Sequence, residues 1–151
     1  MTVNQHAFVH LVRTAQGRYL AMNRNGVEIE LGHGHDLFSP VELLLAALAG
    51  CSAIDVDSAI SRHAEPEVFK AGVQATKSSE GGNHLEDVQL TFSMRFPDTQ
   101  EGAEAKAMIE RVLKLSHDKL CTVSRTLELE TPVEMNVKFC QSFQETVREA
   151  S

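Results

Sequence analysis

The sequence predicts an α+β domain in which antiparallel strands pack against one long, apolar helix. Three observations point there. The stretch from Leu43 to Ile54 holds no charged residue. It follows Ser39-Pro40-Val41-Glu42, in which Ser39 can cap, Pro40 sits at the first helical position without loss, and Glu42 can reach back to the Ser39 N–H as a capping box. Short segments with strand-like alternation lie on both sides of it, Val27–Leu31 before and Val88–Phe96 after. A helix with no polar stripe is expected to be buried on every side. Cys51 lies inside it, away from either end.

In chain order, residues 7–13 are rich in β-formers and precede the turn Gln16-Gly17. Arg18–Met22 then reads as a second strand. Asn25-Gly26 predicts a type I′ hairpin turn into the alternating strand Val27–Leu31. Gly32-His33-Gly34-His35-Asp36 is a loop. The central helix is expected to run to about His63, where Pro66 disfavours helical geometry at the residue before it. Val68–Thr76 and Val88–Phe96 are strands around the turn Glu80-Gly81-Gly82-Asn83. In the second of them Val88, Leu90, Phe92, Met94 and Phe96 share one face. Asp98-Thr99-Gln100-Glu101 predicts a second capping box and a helix to about Leu115. Ser116–Leu120 breaks that helix, and Cys121–Leu127 forms a short further one. Val133–Phe139 alternates as a last strand before a polar tail. No repeat or linker divides the chain, so residues 1–151 are read as a single domain.

A chain of 151 residues can bury a sizeable core. Its net charge of −7 argues against nucleic acid and anionic membranes as partners. The longest uncharged apolar run is about a dozen residues, short of the roughly 20 that span a bilayer. Met1–His6 has no basic segment leading into an apolar one. A cytoplasmic location is expected. The cysteines are three, Cys51, Cys121 and Cys140, at long spacings and without a C-x-x-C. That argues against a disulfide framework or a zinc ribbon and leaves catalysis or redox sensing as roles for a pair.

Each candidate residue has a plainer alternative. A buried cysteine behaves as a small hydrophobe, and Cys51 taken alone fits core packing. Cys140 sits in an alternating strand and is read as packing. His117 could orient the loop before Cys121 or stand solvated on it. His33, His35 and Asp36 could hold a metal, but they lack a fourth ligand between flexible glycines and read as a solvated loop. No metal or other cofactor is expected. A helix apolar all round needs more cover than one small sheet gives, which predicts a homodimer.

Ser39-Pro40-x-Glu42-Leu43-x-x-Ala46-Ala47-x-Ala49-x-Cys51, followed much later by His117-x-x-x-Cys121-x-Val123-Ser124, resembles the OsmC/Ohr family, the osmotically inducible and organic hydroperoxide resistance proteins. Gly50–Val56 is most similar to an OsmC-like branch. The resemblance covers nearly the whole chain. It implies an intertwined homodimer with active sites near the subunit interface and thiol-dependent reduction of organic hydroperoxides. It gives Cys51 the role of attacking thiol and Cys121 that of resolving thiol. No cofactor is implied, and turnover draws on an external dithiol.

The chemistry adds a requirement. A thiolate attacks the O–O bond, becomes a sulfenic acid and condenses with a neighbouring thiol. Burial opposes ionisation, and Cys51 lies too far from the helix N-terminus for its dipole to help, so a cation is needed. The resemblance implies an arginine from the N-terminal strands, with Arg18 the best placed and Arg13 and Arg24 as alternatives. It also implies a glutamate directly after the helix-opening proline. Here that position is Val41, and Glu42, one residue later, is turned by about 100°. Asp55, one turn after Cys51, could hold the arginine instead. This departure keeps a second reading open, a dimeric redox-sensing or ligand-binding module with little turnover. A metal site on the His33/His35/Asp36 loop is a third.

Overall fold

The computed structural model describes residues 6–139. Its elements are β1 (Val9–Ala15), β2 (Arg18–Asn23), β3 (Glu28–Gly32), α1 (Pro40–Ile60), β4 (Val68–Ser78), β5 (His84–Arg95), α2 (Gln100–Leu115), a π-helical turn (Ser116–Leu120) and α3 (Thr122–Glu128). The α+β class is as the sequence predicts. The strands form two separate antiparallel sheets, β1-β2-β3 and β4-β5. Both contain a bulge. On β5 the extra residue falls at Asp87, whose φ of 52° is the one positive value at a non-glycine among the described residues.

The expected Asn-Gly type I′ turn is not formed. That turn needs positive φ at both central residues, and only Gly26 has it, at 78°. The loop is instead closed by Gly26 N–H donating to the Asn23 carbonyl at 3.0 Å and by Asn23 Oδ1 accepting from the N–H groups of Asn25 and Val27. The Asn23 side chain replaces the backbone pairing that a tighter hairpin would make.

The α1 cap is as read from the sequence. The Ser39 N–H donates to Glu42 Oε2 at 2.7 Å, and the Glu42 N–H donates to Ser39 Oγ at 3.2 Å. The helix ends at Ile60, earlier than His63, as the Ser61, His63 and Ala64 N–H groups close a turn on the Asp57 and Ile60 carbonyls. The second capping box is not formed. Thr99, not Asp98, caps α2, and its Oγ1 accepts from Gly102 N–H. Gly102 holds the third helical position, where a side chain would collide with the Pro97 carbonyl, so no carboxylate can stand there.

The core is an α1/α2/β4-β5 sandwich. Val56, Ile60, Ala105 and Val112 are buried at its centre, with Phe69, Phe92, Met94 and Phe96 beneath them. Phe69 and Phe92 meet edge to face at 5.8 Å. The alternation of β5 thus delivers its apolar face to α1 and α2.

The expectation that α1 is buried on every side is not met within one chain. α2, β4, α3 and the π turn cover one stripe, Leu48, Ser52, Val56 and Ile60. Val41, Leu44 and Ile54 remain exposed, and 22% of the helix's most apolar 18 residues is buried. The β1-β2-β3 sheet makes no more than marginal contact with any helix among the described residues. The last predicted strand is not formed either. Residues 131–139 have no regular structure, and Val133, Met135, Val137 and Phe139 are exposed. A strand needs a neighbouring strand to hold its N–H and C=O groups, and among the described residues no strand pairs with this segment. Cys140 and the polar tail lie outside the described residues.

Candidate active site

Cys51 and Cys121, remote in sequence, are neighbours in the fold. α1 carries Cys51, and the chain leaving the π turn delivers Cys121 to it. Cys121 N–H donates to the Ser116 carbonyl at 2.8 Å, closing the π turn, and Cys121 itself caps α3. Its Sγ accepts from Ser124 N–H at 3.3 Å and from Ser52 Oγ at 3.4 Å. The two thiols interact side chain to side chain, and both are free. Cys121 is fully buried and Cys51 partly exposed.

Their electrostatics differ. Burial pushes the Cys51 thiol up. The Val123 and Thr122 N–H groups pull it down and neighbouring Cys121 pushes it further up, so it lies above the ordinary thiol range. Burial also pushes Cys121 up. Ser52 and Ser124 N–H donate to it, neighbouring Cys51 and the Val123 N–H also favour its charge, and together they bring it below that range. Of the pair, Cys121 is the sulfur that the surroundings prepare to carry negative charge.

Arg18 is not beside Cys51 within the chain. It opens β2 and makes a bidentate pair with Asp36, at 2.9 and 3.3 Å, on an exposed surface. Asp36 draws its own carboxyl below the usual range from that arginine. The alternative Arg24 donates to the His6 carbonyl at 2.6 Å. Asp55 accepts from Ser116 Oγ at 2.7 Å and so has a partner other than an arginine. Glu42 is spent on the α1 cap. The His33/His35/Asp36 loop gives Asp36 to Arg18, and no group of three or more His, Cys, Asp or Glu among the described residues is placed to hold a metal.

His117 Nε2 lies 2.7 Å from Glu128 Oε1 and Nδ1 3.0 Å from Asp118 Oδ1, tying the π turn to the end of α3. It is therefore neither free nor merely solvated. A cavity of about 620 Å³ opens between α1, β5, α2 and α3. Leu48, Phe92, Met94 and Leu113 line it together with Ser52 and Ser124, the two residues that bond the Cys121 sulfur; neither cysteine is itself part of the lining. It is mostly apolar, and β5 and α2 supply most of its wall.

Three serines escaped the sequence reading. Ser52, Ser116 and Ser124 each bond a residue of the site. Two signals for them existed. Ser52 directly follows Cys51, and Ser124 stands three residues after Cys121, the spacing at which a cap receives its N–H.

Comparison with known proteins finds relatives in sequence and in fold. The chain is 30% identical over 131 residues to the uncharacterized protein Rv2923c of Mycobacterium tuberculosis, covering 83% of this chain and 91% of that one. It is 30% identical over 120 residues to protein YhfA of Escherichia coli K12, covering 78% and 80%. Among solved structures, a hypothetical protein from Aquifex aeolicus superposes with a TM-score of 0.69 at 21% identity, over 85% of this chain and 91% of that one. The organic hydroperoxide resistance protein OhrB of Bacillus subtilis superposes with a TM-score of 0.54 at 17% identity, over 83% and 93%. The family model described as OsmC-like protein matches residues 32–136, which hold both cysteines and every element from α1 to α3, and the chain belongs to that family.

Proposed function

We propose that the protein is a thiol-dependent peroxidase of organic hydroperoxides, with Cys51 as attacking thiol and Cys121 as resolving thiol. The observation that carries this reading is the meeting of the two thiols, one partly exposed and one buried, from α1 and the head of α3. An accessible sulfur can meet a peroxide, and a buried one beside it can condense with the resulting sulfenic acid before water or a second peroxide does. The mostly apolar cavity that Ser52 and Ser124 help to line suits an alkyl chain. An external dithiol reduces the disulfide, and the reading has the protein in the cytoplasm, where dithiols are kept reduced.

The same reading takes the protein as a homodimer. The uncovered flank of α1, the β1-β2-β3 sheet that makes no more than marginal contact with any helix among the described residues and the exposed Val133, Met135, Val137 and Phe139 support it, because apolar surface on this scale seeks cover. A sheet laid over α1 of a second copy would bring Arg18, held by Asp36, towards Cys51 across the interface and supply the cation that one chain leaves wanting.

A second reading, a redox-sensing or ligand-binding module, draws on the raised Cys51 thiol and on Val41. One experiment separates the two. Cumene hydroperoxide and excess dihydrolipoamide are given to the protein and to its Cys51→Ser and Cys121→Ser variants. Repeated turnover that is lost in Cys51→Ser supports the peroxidase. One equivalent of disulfide without further consumption supports the sensor.

A further inference from the structure

Ser52 is buried on α1, and its hydroxyl has an alternative that it does not take. A helical serine commonly donates to the carbonyl four residues back. Ser58, on the same helix, does so, with Oγ 2.7 Å from the Ile54 carbonyl. Ser52 instead reaches out of its helix to the Cys121 sulfur at 3.4 Å. Ser124 N–H approaches the same sulfur from α3 at 3.3 Å, and the Cys51 side chain neighbours it. The hydrogen bonds that reach the Cys121 sulfur, from α1 and from α3, thus both come from donors. A protonated thiol would need somewhere to send its own hydrogen, whereas a thiolate accepts from both.

We propose that Ser52 is a positioning residue that holds Cys121 as the proton acceptor for Cys51, so that the Cys51 proton passes through Cys121 to the leaving group during turnover. The cycle rests on the peroxidase reading; the proton-acceptor role does not.

Cys51–SH first gives its proton to the Cys121 thiolate. The Cys51 thiolate then attacks the hydroxyl-bearing oxygen of the hydroperoxide. The S–O bond forms as the O–O bond breaks, and the sulfur is oxidised to sulfenic acid while the peroxide is reduced. The departing alkoxide takes that proton from Cys121–SH and leaves as an alcohol. That transfer leaves Cys121 a thiolate, ready to attack the Cys51 sulfur. The disulfide forms, the S–O bond breaks, and hydroxide leaves and is protonated by solvent. A dithiol reductant then returns both thiols and is itself oxidised to a disulfide. Cys121 thus activates the attack, protonates the leaving group and resolves the product, and the Ser52 hydroxyl keeps its sulfur ready for each step.

The test is a spectroscopic titration that needs no turnover. In a Cys51→Ser/Cys140→Ser background, Cys121 is the one remaining thiol, and its thiolate absorbance at about 240 nm is followed against pH. Adding Ser52→Ala is expected to raise the midpoint by about one pH unit, about a tenfold loss of thiolate at a fixed pH, the effect of removing one hydrogen bond to a charged group. Ser52→Thr, which keeps the hydroxyl, is expected to leave the midpoint near that of the parent. Circular dichroism checks that each variant folds, and the near-isosteric alanine tests the hydroxyl rather than the packing. An unmoved midpoint in Ser52→Ala overturns the proposal even if the Ser52→Ala change alone slows hydroperoxide turnover. A moved midpoint in a protein that never consumes hydroperoxide upholds the proton-acceptor role and refutes the peroxidase reading instead.

Discussion

Ser116 Oγ donates to the Asp55 carboxylate at 2.7 Å, joining the π turn to the central helix one helical turn beyond Cys51. Ser116 is almost fully buried and Asp55 half-buried. The contact fixes the height at which Cys121, five residues after Ser116, meets α1. Ser116→Ala is expected to cost about 1–3 kcal/mol, because it leaves a half-buried carboxylate without its donor. It should also slow formation of the Cys51–Cys121 disulfide under mild oxidant. Urea melts and non-reducing peptide mapping measure the two effects; an unchanged urea midpoint would show that water replaces the hydroxyl freely.

The ion pairs around the π turn set a pH window. Hydrogen bonds to Asp118 and then Glu128 raise His117 above its ordinary 6.5, so its contribution is complete below that value and lost as pH rises through the raised one. Lys114 and then His117 lower Asp118 to about 2, so its contribution is complete above its ordinary 3.8 and lost as pH falls towards 2. The contributions of Asp118 and His117 are therefore complete together from about pH 4 to 6.5, and the tie of His117 to α3 weakens as pH rises through the raised His117 value. Amide exchange of residues 116–128, corrected for intrinsic rates, should accelerate above the His117 midpoint. In His117→Gln that step should vanish. A step that persists in the variant assigns it to another group.

Arg18 and Asp36 pair on the surface, where such pairs add little to stability. Arg18→Ala is therefore expected to leave the thermal midpoint where it is while lowering kcat/KM for an organic hydroperoxide by about a hundredfold, the effect of removing a charged donor from a reacting centre. If the arginine acts across a subunit interface, mixing Arg18→Ala with Cys51→Ser protein should restore activity as subunits exchange. Inactive mixtures whose exchange is independently shown would assign the arginine to its own chain or remove it from the reaction.

Gly102→Ala should destabilise the protein by about 1–3 kcal/mol, since the added methyl group meets the Pro97 carbonyl at the head of α2 and backbone must move to admit it. Gly50→Ala, on the open side of α1 with nothing near its added carbon, is the matched control and should be neutral or mildly stabilising in a single chain. A dimer that covers this side of α1 would reverse the control, so chemical denaturation at several protein concentrations reads both effects.

Much of the architecture was legible in the sequence because its causes are local. Ser39, Pro40 and Glu42 specify the start of α1 within four residues, and the alternation of Leu90, Phe92, Met94 and Phe96 specifies which face of β5 turns inward. Where the sequence misled, a neighbour remote from the local pattern intervened. Asn23 captured the N–H groups that a type I′ turn would have paired otherwise, and Thr99 took the cap in place of Asp98, which puts Gly102, packed on the Pro97 carbonyl, rather than Glu101 at the third helical position. Val133–Phe139 has a strand's alternation but pairs with no strand among the described residues.

The sequence by itself determined the α+β class, the apolar central helix and the two cysteines with their flanking motifs. Only the tertiary structure decided that the buried Cys121 sulfur accepts from Ser52 and from Ser124 N–H, and that Asp55 binds Ser116 rather than an arginine. Periodicity and capping are governed by contacts a few residues long, so they can be read along the chain. The protonation preference of a thiol depends on which dipoles point at its sulfur, and those come from α1 and α3, segments that only folding brings together.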